Sequence, residues 1–341
     1  MPDRNIEENR LPRRTITGRS AICGMLTNPI ETRTNMTEKS KLIVLLGATG
    51  NLGSLIAQSL LEKPEVQLRV LVRPQSVDKL ATLREQGVDI VEFDLEDIDQ
   101  AGILEKAVDG AFCVISAIQG GPDIIVDAQL RLLETCRKAG VRRLIPSNFS
   151  YNIFGLVEGD NINSDDRRAF ARAALEVQGD MEVVQVQNGA FLDRRVLFGF
   201  LGAFDLEKGC AFLWGDGNEA MDFTTYDDTA RFTAEVATDD AVLPNILEIA
   251  GETLNFHELV KAYEDASGKS ISVSHLGTLA DLDKAIEQRR QAEPGNMYAW
   301  LPLMYWRAML SGKAKLHSIA NDRYPQIQPV TLREYVRKEG L

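Results

Sequence analysis

"KLIVLLGATGNLGSLIAQSLLEK", residues 41–63, passes from an apolar strand through three glycines into a helix. A glycine-rich turn between a strand and a helix gains meaning from that context, because the first unpaired amides of a helix and its positive dipole end form a ready anion site. The spacing is GxxGxxG. Gly47 permits the tight turn, Gly50 lets the backbone approach a pyrophosphate, and Gly53 allows the helix to pack closely on the strand. Thr49, Asn51 and the backbone of Leu52 stand beside them as further cofactor contacts. The alternative is an ordinary glycine-rich turn that binds nothing.

The surroundings decide between the two. From 41 to 147, apolar strand candidates at 42–47, 67–73, 88–93, 111–117 and 142–146 alternate with helical patterns at 51–62, 76–86, 98–107 and 123–138. In the last of these, Ile124, Ala128, Leu132 and Cys136 recur at every fourth position, and Gly140 follows a basic last turn. Near-continuous apolar strands joined by helices specify a parallel sheet covered on both faces, and right-handed crossovers make it a doubly wound α/β sheet of the Rossmann type. Such sheets bind their ligands beyond the carboxyl ends of the strands.

The end of the second strand selects the dinucleotide. NAD sites place an acidic residue there to accept from the ribose hydroxyls. This chain reads "VLVRPQS", so Arg73 can pair with a 2′-phosphate while Gln75 and Ser76 add donors, and the expected cofactor is NADPH. A solvated surface arginine is the plainer alternative. Asp94, in "FDLED", can reach the adenine amine or cap the helix that begins near Ile98. Ser116 and Ala117 end the fourth strand and leave room for the cofactor, while "LIPSNFSYN" brings Ser147, Asn148 and Tyr151 toward the nicotinamide.

Composition excludes several classes. A net charge of −12 over 341 residues opposes general binding to nucleic acid or to an anionic membrane. No apolar run approaches the roughly 20 residues that span a bilayer. Four cysteines and three histidines show no metal-ligand spacing, so the thiols read as reduced and cytoplasmic, with Cys113 in the core of a strand. Residues 1–38 carry six arginines and five acids with little apolar periodicity; they read as a disordered N-terminal extension, with Met36 an alternative natural start. The expected organisation is then a cofactor-binding domain over 39–188 and a substrate-binding region over 189–341, the latter mixed α/β and partly completing the same sheet.

Past residue 150 the expected elements are helices at 165–177, 227–238 and 256–267, others within 278–312, strands at 182–187, 246–250 and 270–274, and a hairpin around "FLWGDGNEAMDFTTY". Asn188 and Phe191 in "NGAFLDRR" fall where a substrate pocket would lie. Tyr298 and Trp300, in "NMYAWLPLMYW", supply a wall for an aromatic substrate; otherwise these aromatics close a core or the seam of a homodimer.

Taken in order, "GATGNLG", "VLVRPQS", "FDLED", "VISAIQGG" and "RRLIPSNFS" resemble the NmrA-like and isoflavone-reductase-like branch of the atypical short-chain dehydrogenases. The resemblance implies a Rossmann domain with a smaller substrate region, and NADPH as cofactor. It also locates two departures. The plant reductases carry "PSEFG" where this chain has "PSNFS", and they place a catalytic lysine where this chain has Arg167 or, with a shifted gap, Arg168. No tyrosine is followed four residues later by lysine, so the usual dehydrogenase pair is missing and Tyr151 would act unassisted. Arginine is a poor proton donor but a good electrostatic one. Two functions follow: an NADPH-dependent reductase of a small aromatic, enone or quinone-type carbonyl compound, with Tyr151 and Arg167 catalytic, or a non-catalytic NAD(P)-sensing regulator acting through a protein partner.

Overall fold

The apolar run at the start of the quoted stretch forms β1 (Lys41–Leu46), and its alternate side chains are buried on opposite faces. Ile43 and Leu45 join one apolar cluster, whereas Val44 and Leu46 join another. The structure, a computed structural model, describes residues 40–341. After β1 come α1 (Asn51–Leu61), β2 (Val66–Val72), a 3-10 turn (Pro74–Leu80) leading into the short α2 (Ala81–Glu85), β3 (Asp89–Glu92), α3 (Ala101–Val108) and β4 (Cys113–Ser116). The chain continues through α4 (Gln129–Lys138), β5 (Arg143–Ile145), α5 (Ile162–Val177) and β6 (Glu182–Val183).

These six strands form one parallel sheet in the order β3-β2-β1-β4-β5-β6, the doubly wound order with its switch point between β1 and β4. Ile56 and Leu60 of α1 bury against one face. Leu104 of α3, Leu132 and Cys136 of α4 and Phe170 of α5 bury against the other. The parallel α/β sheet expected from the apolar strands is therefore present, and Cys113 lies fully buried in β4.

The expected helix at 123–138 is helical throughout but not uniformly α. Its first six residues, Asp123–Ala128, are wound as a π-helix. The buried Gln129 side chain explains the loosening: its Nε2 donates to the Ile125 carbonyl while its Oε1 accepts from the Ser147 amide. One glutamine thereby ties the opening of α4 to the loop after β5.

Beyond β6 only Val184 separates it from β7 (Gln185–Gln187), whose parallel partner is a strand sixty residues later. The intervening chain builds β8 (Ala190–Phe191), β9 (Phe204–Asp205), β10 (Cys210–Trp214), β11 (Met221–Thr224) and α6 (Tyr226–Thr238). β12 (Ile246–Glu248), the partner of β7, follows, then β13 (Glu252–Leu254), α7 (Phe256–Ser267), β14 (Ser272–Gly277), α8 (Leu279–Ala292), α9 (Leu301–Leu310) and α10 (Leu332–Glu339). Helix α6 packs beside α1 on the same sheet face.

The hairpin expected around "GDG" does not form. β10 pairs with β9 and β14, whereas β11 pairs with β8 and β13. Gly215 and Gly217 do take positive φ, as turn glycines should, and besides the Asn218 amide's bond to Asp216 Oδ1 the loop bonds to α7. The Asp216 carbonyl meets His257 Nε2, and Gly217 accepts from the Phe256 amide. A further difference is α10, which was not among the expected elements although Leu332, Tyr335 and Val336 fall on one helical face. Its capping box was also readable in "TLRE": Thr331 accepts from the Glu334 amide, and Glu334 returns to the Thr331 amide.

The last forty residues are strapped across the middle of the chain by carboxylates. Glu248 accepts from the amides of His317 and Ser318, Asp222 from Leu316, Asp228 from Val330 and Glu252 from Leu332. Each is a charge-assisted bond to a backbone amide, and that of Leu316 is buried. Residues 1–38, expected to form an extension, lie outside the described residues, as does Cys23.

Candidate functional site

A cleft of about 460 Å³ opens at the carboxyl ends of β1, β2 and β4, beside the switch point. Its floor is the glycine turn. Gly47 has φ +89°, and a Cβ there would fall 2.4 Å from the Ala117 carbonyl, so only glycine lets the turn pass the end of β4. A Cβ on Gly53 would fall 2.1 Å from the Gly47 carbonyl, which is the close helix–strand packing expected of it. Gly50 is the N-cap of α1, with no side-chain cap and no acidic residue in the first turn. The amides that open α1 thus meet no acidic residue in their own first turn, and Thr49, Asn51 and Leu52 line the cleft beside them.

Arg73 and Ser76 line this cleft at the end of β2, as does Asp94 after β3. Gln75 is exposed and outside the lining. Asp94 does not cap the following helix: its Oδ1 accepts from the Glu96 amide, and Asp97 is the residue that caps the turn at Ile98. Ala117 lines the cleft from β4. Ser116 is fully buried behind it, and its hydroxyl lacks a partner among the described residues.

At the other end the structure separates residues that sequence spacing had grouped. Ser147 lines the cleft, its hydroxyl donating to the Ile118 carbonyl at 2.5 Å. Asn148 points inward to Gln185, 2.9 Å away. Arg167 lines the cleft and donates to the Asn163 carbonyl, leaving its Nε buried without a partner. Its neighbour Arg168 is buried instead on the Ile153 carbonyl and Asp165. The ambiguity between the two arginines is resolved by the rotation of α5, which presents Arg167 to the cleft.

Tyr151 is buried away from the cleft lining, against Tyr305, with its hydroxyl 3.3 Å from Ser164 Oγ. Burial first, and then the neighbouring Tyr305, pushes its pKa well above the ordinary tyrosine value. Asn188 is fully buried, and neither atom of its amide has a partner. Tyr298 is 78% exposed, and Trp300 is buried in a small cluster with Leu301 and Met304. Neither aromatic lines the cleft, and Trp306 likewise closes the core, donating to the Leu201 carbonyl. Phe191 does line it, stacked on Tyr226 with centroids 4.1 Å apart and planes 18° from parallel. Tyr226 was not singled out by motif or spacing. The helix start in "TTYDD" was its one local signal, and there the cap is Thr225, with Asp228 returning a bond to it.

Among the described residues no cluster of His, Cys, Asp or Glu could hold a metal ion, and no helix is long and apolar enough to cross a membrane.

Residues 39–154, the span that carries the glycine turn, Arg73 and Ser147, match the model of the NmrA-like family. The chain is 26% identical over 325 residues to pinoresinol reductase 1 of Arabidopsis thaliana, covering 88% of this chain and 97% of that protein. Its fold superposes on a crystal structure of isoflavone reductase with a TM-score of 0.75 at 21% identity, covering 88% and 99% of the two chains. It superposes on AtPrR2 with NADP+ and (+)-pinoresinol with a TM-score of 0.73 at 23% identity, with the same coverage. The doubly wound fold and the NmrA-like resemblance expected from the motifs are both present.

Proposed function

We propose that the chain is an NADPH-dependent reductase of a small aromatic, enone or quinone-type carbonyl compound. The observation that carries this reading is the cleft itself: uncapped helix amides over a glycine floor at one point, and a guanidinium in place of a carboxylate at the end of β2. The cradle fits a dinucleotide, because the Gly47 turn leaves the amides facing the cleft and no acidic residue stands in their own first turn. Gly50, Asn51 and Leu52 would hold the diphosphate, Arg73 and Ser76 the 2′-phosphate, and Ser147 with Arg167 the nicotinamide end. When bound, NADPH supplies a hydride. Arg167, with an unpaired Nε, offers positive charge to an oxygen that gains electron density. The reductases named among the relatives support the same class of chemistry. The organisation that suits it is a cofactor domain over 39–188 and a substrate region over 189–341.

One observation favours the second reading, a dinucleotide-sensing regulator: no lysine or histidine lines the cleft, and Tyr151 lies outside it. Fluorescence titration with NADPH and NADH tests the binding site, with NADPH expected to bind at least tenfold more tightly. A panel of quinones, enones and aryl ketones then separates the two readings. NADPH oxidation with any of them establishes the reductase, whereas tight binding with no turnover across the panel favours the regulator.

A further inference from the structure

We infer that Tyr226 contacts the substrate: the stacked Phe191–Tyr226 pair is a flat wall for a planar aryl carbonyl compound, and the Tyr226 hydroxyl donates to its oxygen. This rests on the reductase reading and extends it to a residue that no motif marks.

Three observations converge on Tyr226. First, its ring and that of Phe191 lie nearly parallel in the lining of the cleft, in the same chamber as Ser147 and Arg167. An aromatic face at a cleft wall favours a second flat ring by offset stacking. Second, its hydroxyl has work to spare. The hydroxyls of Tyr151, Tyr305, Tyr324 and Tyr335 each meet a protein partner, at Ser164, Asn163, Asp239 and the Arg194 amide respectively. Among the described residues the Tyr226 hydroxyl meets none, although the residue is half-buried and faces the cleft.

Third, the surroundings keep it a donor. Burial raises its pKa above the ordinary tyrosine value, Asp193 adds to the rise, and Arg195 opposes it. The phenol therefore stays protonated through the neutral range. It stands in the first turn of α6, directly after the cap Thr225, where the backbone fixes its place at the cleft wall. Arg167, from the opposite helix layer, lines the same cleft, as do the charged residues Arg73, Asp94 and Glu96. A carbonyl oxygen placed between Tyr226 and Arg167 would meet a neutral donor and a cation, the pairing that the absent lysine leaves unfilled.

The test uses the full chain saturated with NADP+, which cannot reduce a ketone. Binding of 9-fluorenone, a planar aryl ketone, is compared with that of fluorene, which has the same rings and no oxygen. Tyr226→Phe keeps the stack and removes the hydroxyl. It is expected to weaken fluorenone about three- to tenfold, the worth of one hydrogen bond, and to leave fluorene unchanged. Tyr226→Leu is expected to weaken both ligands, and neither variant should alter NADP+ affinity. Equal loss of the two ligands in Tyr226→Phe, unchanged binding in Tyr226→Leu, or no fluorenone binding to the NADP+ complex would each overturn the inference while leaving the reductase reading in place. Failure of the unaltered chain to bind NADP+ would remove that reading and the inference with it.

Discussion

The two ends of the parallel sheet are built on opposite principles. At the carboxyl ends of the strands, polar groups stand unpaired: the first amides of α1, the Ser116 hydroxyl, Arg167 Nε and the Tyr226 phenol. At the amino ends every prominent charge has a partner. Arg143 is wholly buried, bonded to Glu182 and to the carbonyls of Val236, Asp239 and Ala241, so its guanidinium caps the end of α6. Lys41 pairs with Asp240, Lys63 with Glu235, and Arg323 with Asp239. The same fold thus spends its polar groups on stability at one end and leaves some unpaired at the other, where the α1 amides and the Tyr226 phenol border the cleft while Ser116 Oγ and Arg167 Nε lie buried. Substitutions at the two ends should therefore separate into effects on stability and effects on binding.

The largest effect is expected at the closed end. Arg143→Met leaves Glu182 with Arg142 as its remaining partner and strands three carbonyls, and should lower unfolding free energy by about 3–5 kcal/mol in urea titration. At the open end, Arg73→Ala should leave the melting temperature unchanged. It should cost about 1.5–3 kcal/mol of NADPH affinity, roughly tenfold to a hundredfold, with NADH binding unaffected. Equal losses for both cofactors would show that Arg73 does not read the 2′-phosphate. Gly53→Ala breaks the separation deliberately, since its Cβ collides with the Gly47 carbonyl at 2.1 Å. It should cost about 1–3 kcal/mol of stability and weaken the dinucleotide as well.

Smaller effects belong to the rim of the closed end. Burial alone would raise the Asp239 pKa, but the Ala241 amide, Arg323 and Tyr324 outweigh it and hold the carboxyl below its usual value. A depressed native pKa contributes stability above the unfolded carboxylate pKa of about 3.9, and that contribution is lost as pH falls through the lower native value. Asp239→Asn should therefore lower stability at pH 7 and flatten its decline below about pH 4, read by thermal melts across pH. Lys63→Ala, which removes a single pair near the surface, should cost no more than about 1 kcal/mol.

Most of the open end was legible in the sequence. Gly47, Gly50, Gly53 and Arg73 could be placed because a strand, a turn and a helix start are local events, each announced by residues close together in the chain. The closed end was invisible: Arg143 and Val236 are 93 residues apart, and nothing near either announces the other. The substrate end lies between these extremes. "NGAF" marked the neighbourhood, but it gave no means of telling Asn188, buried with an unpaired amide, from Phe191 on the cleft wall.

Apolar period and glycine placement by themselves determined a doubly wound sheet with an anion-binding turn, because backbone geometry and side-chain alternation act over a few residues. The tertiary structure alone decided which side chains meet the cleft. Adjacent residues on a helix point about 100° apart, so Arg167 and Arg168 go to different places only once α5 is docked on the sheet. Tyr226 entered the cleft by the same route: α6 packs beside α1, and that long-range contact sets the tyrosine against Phe191.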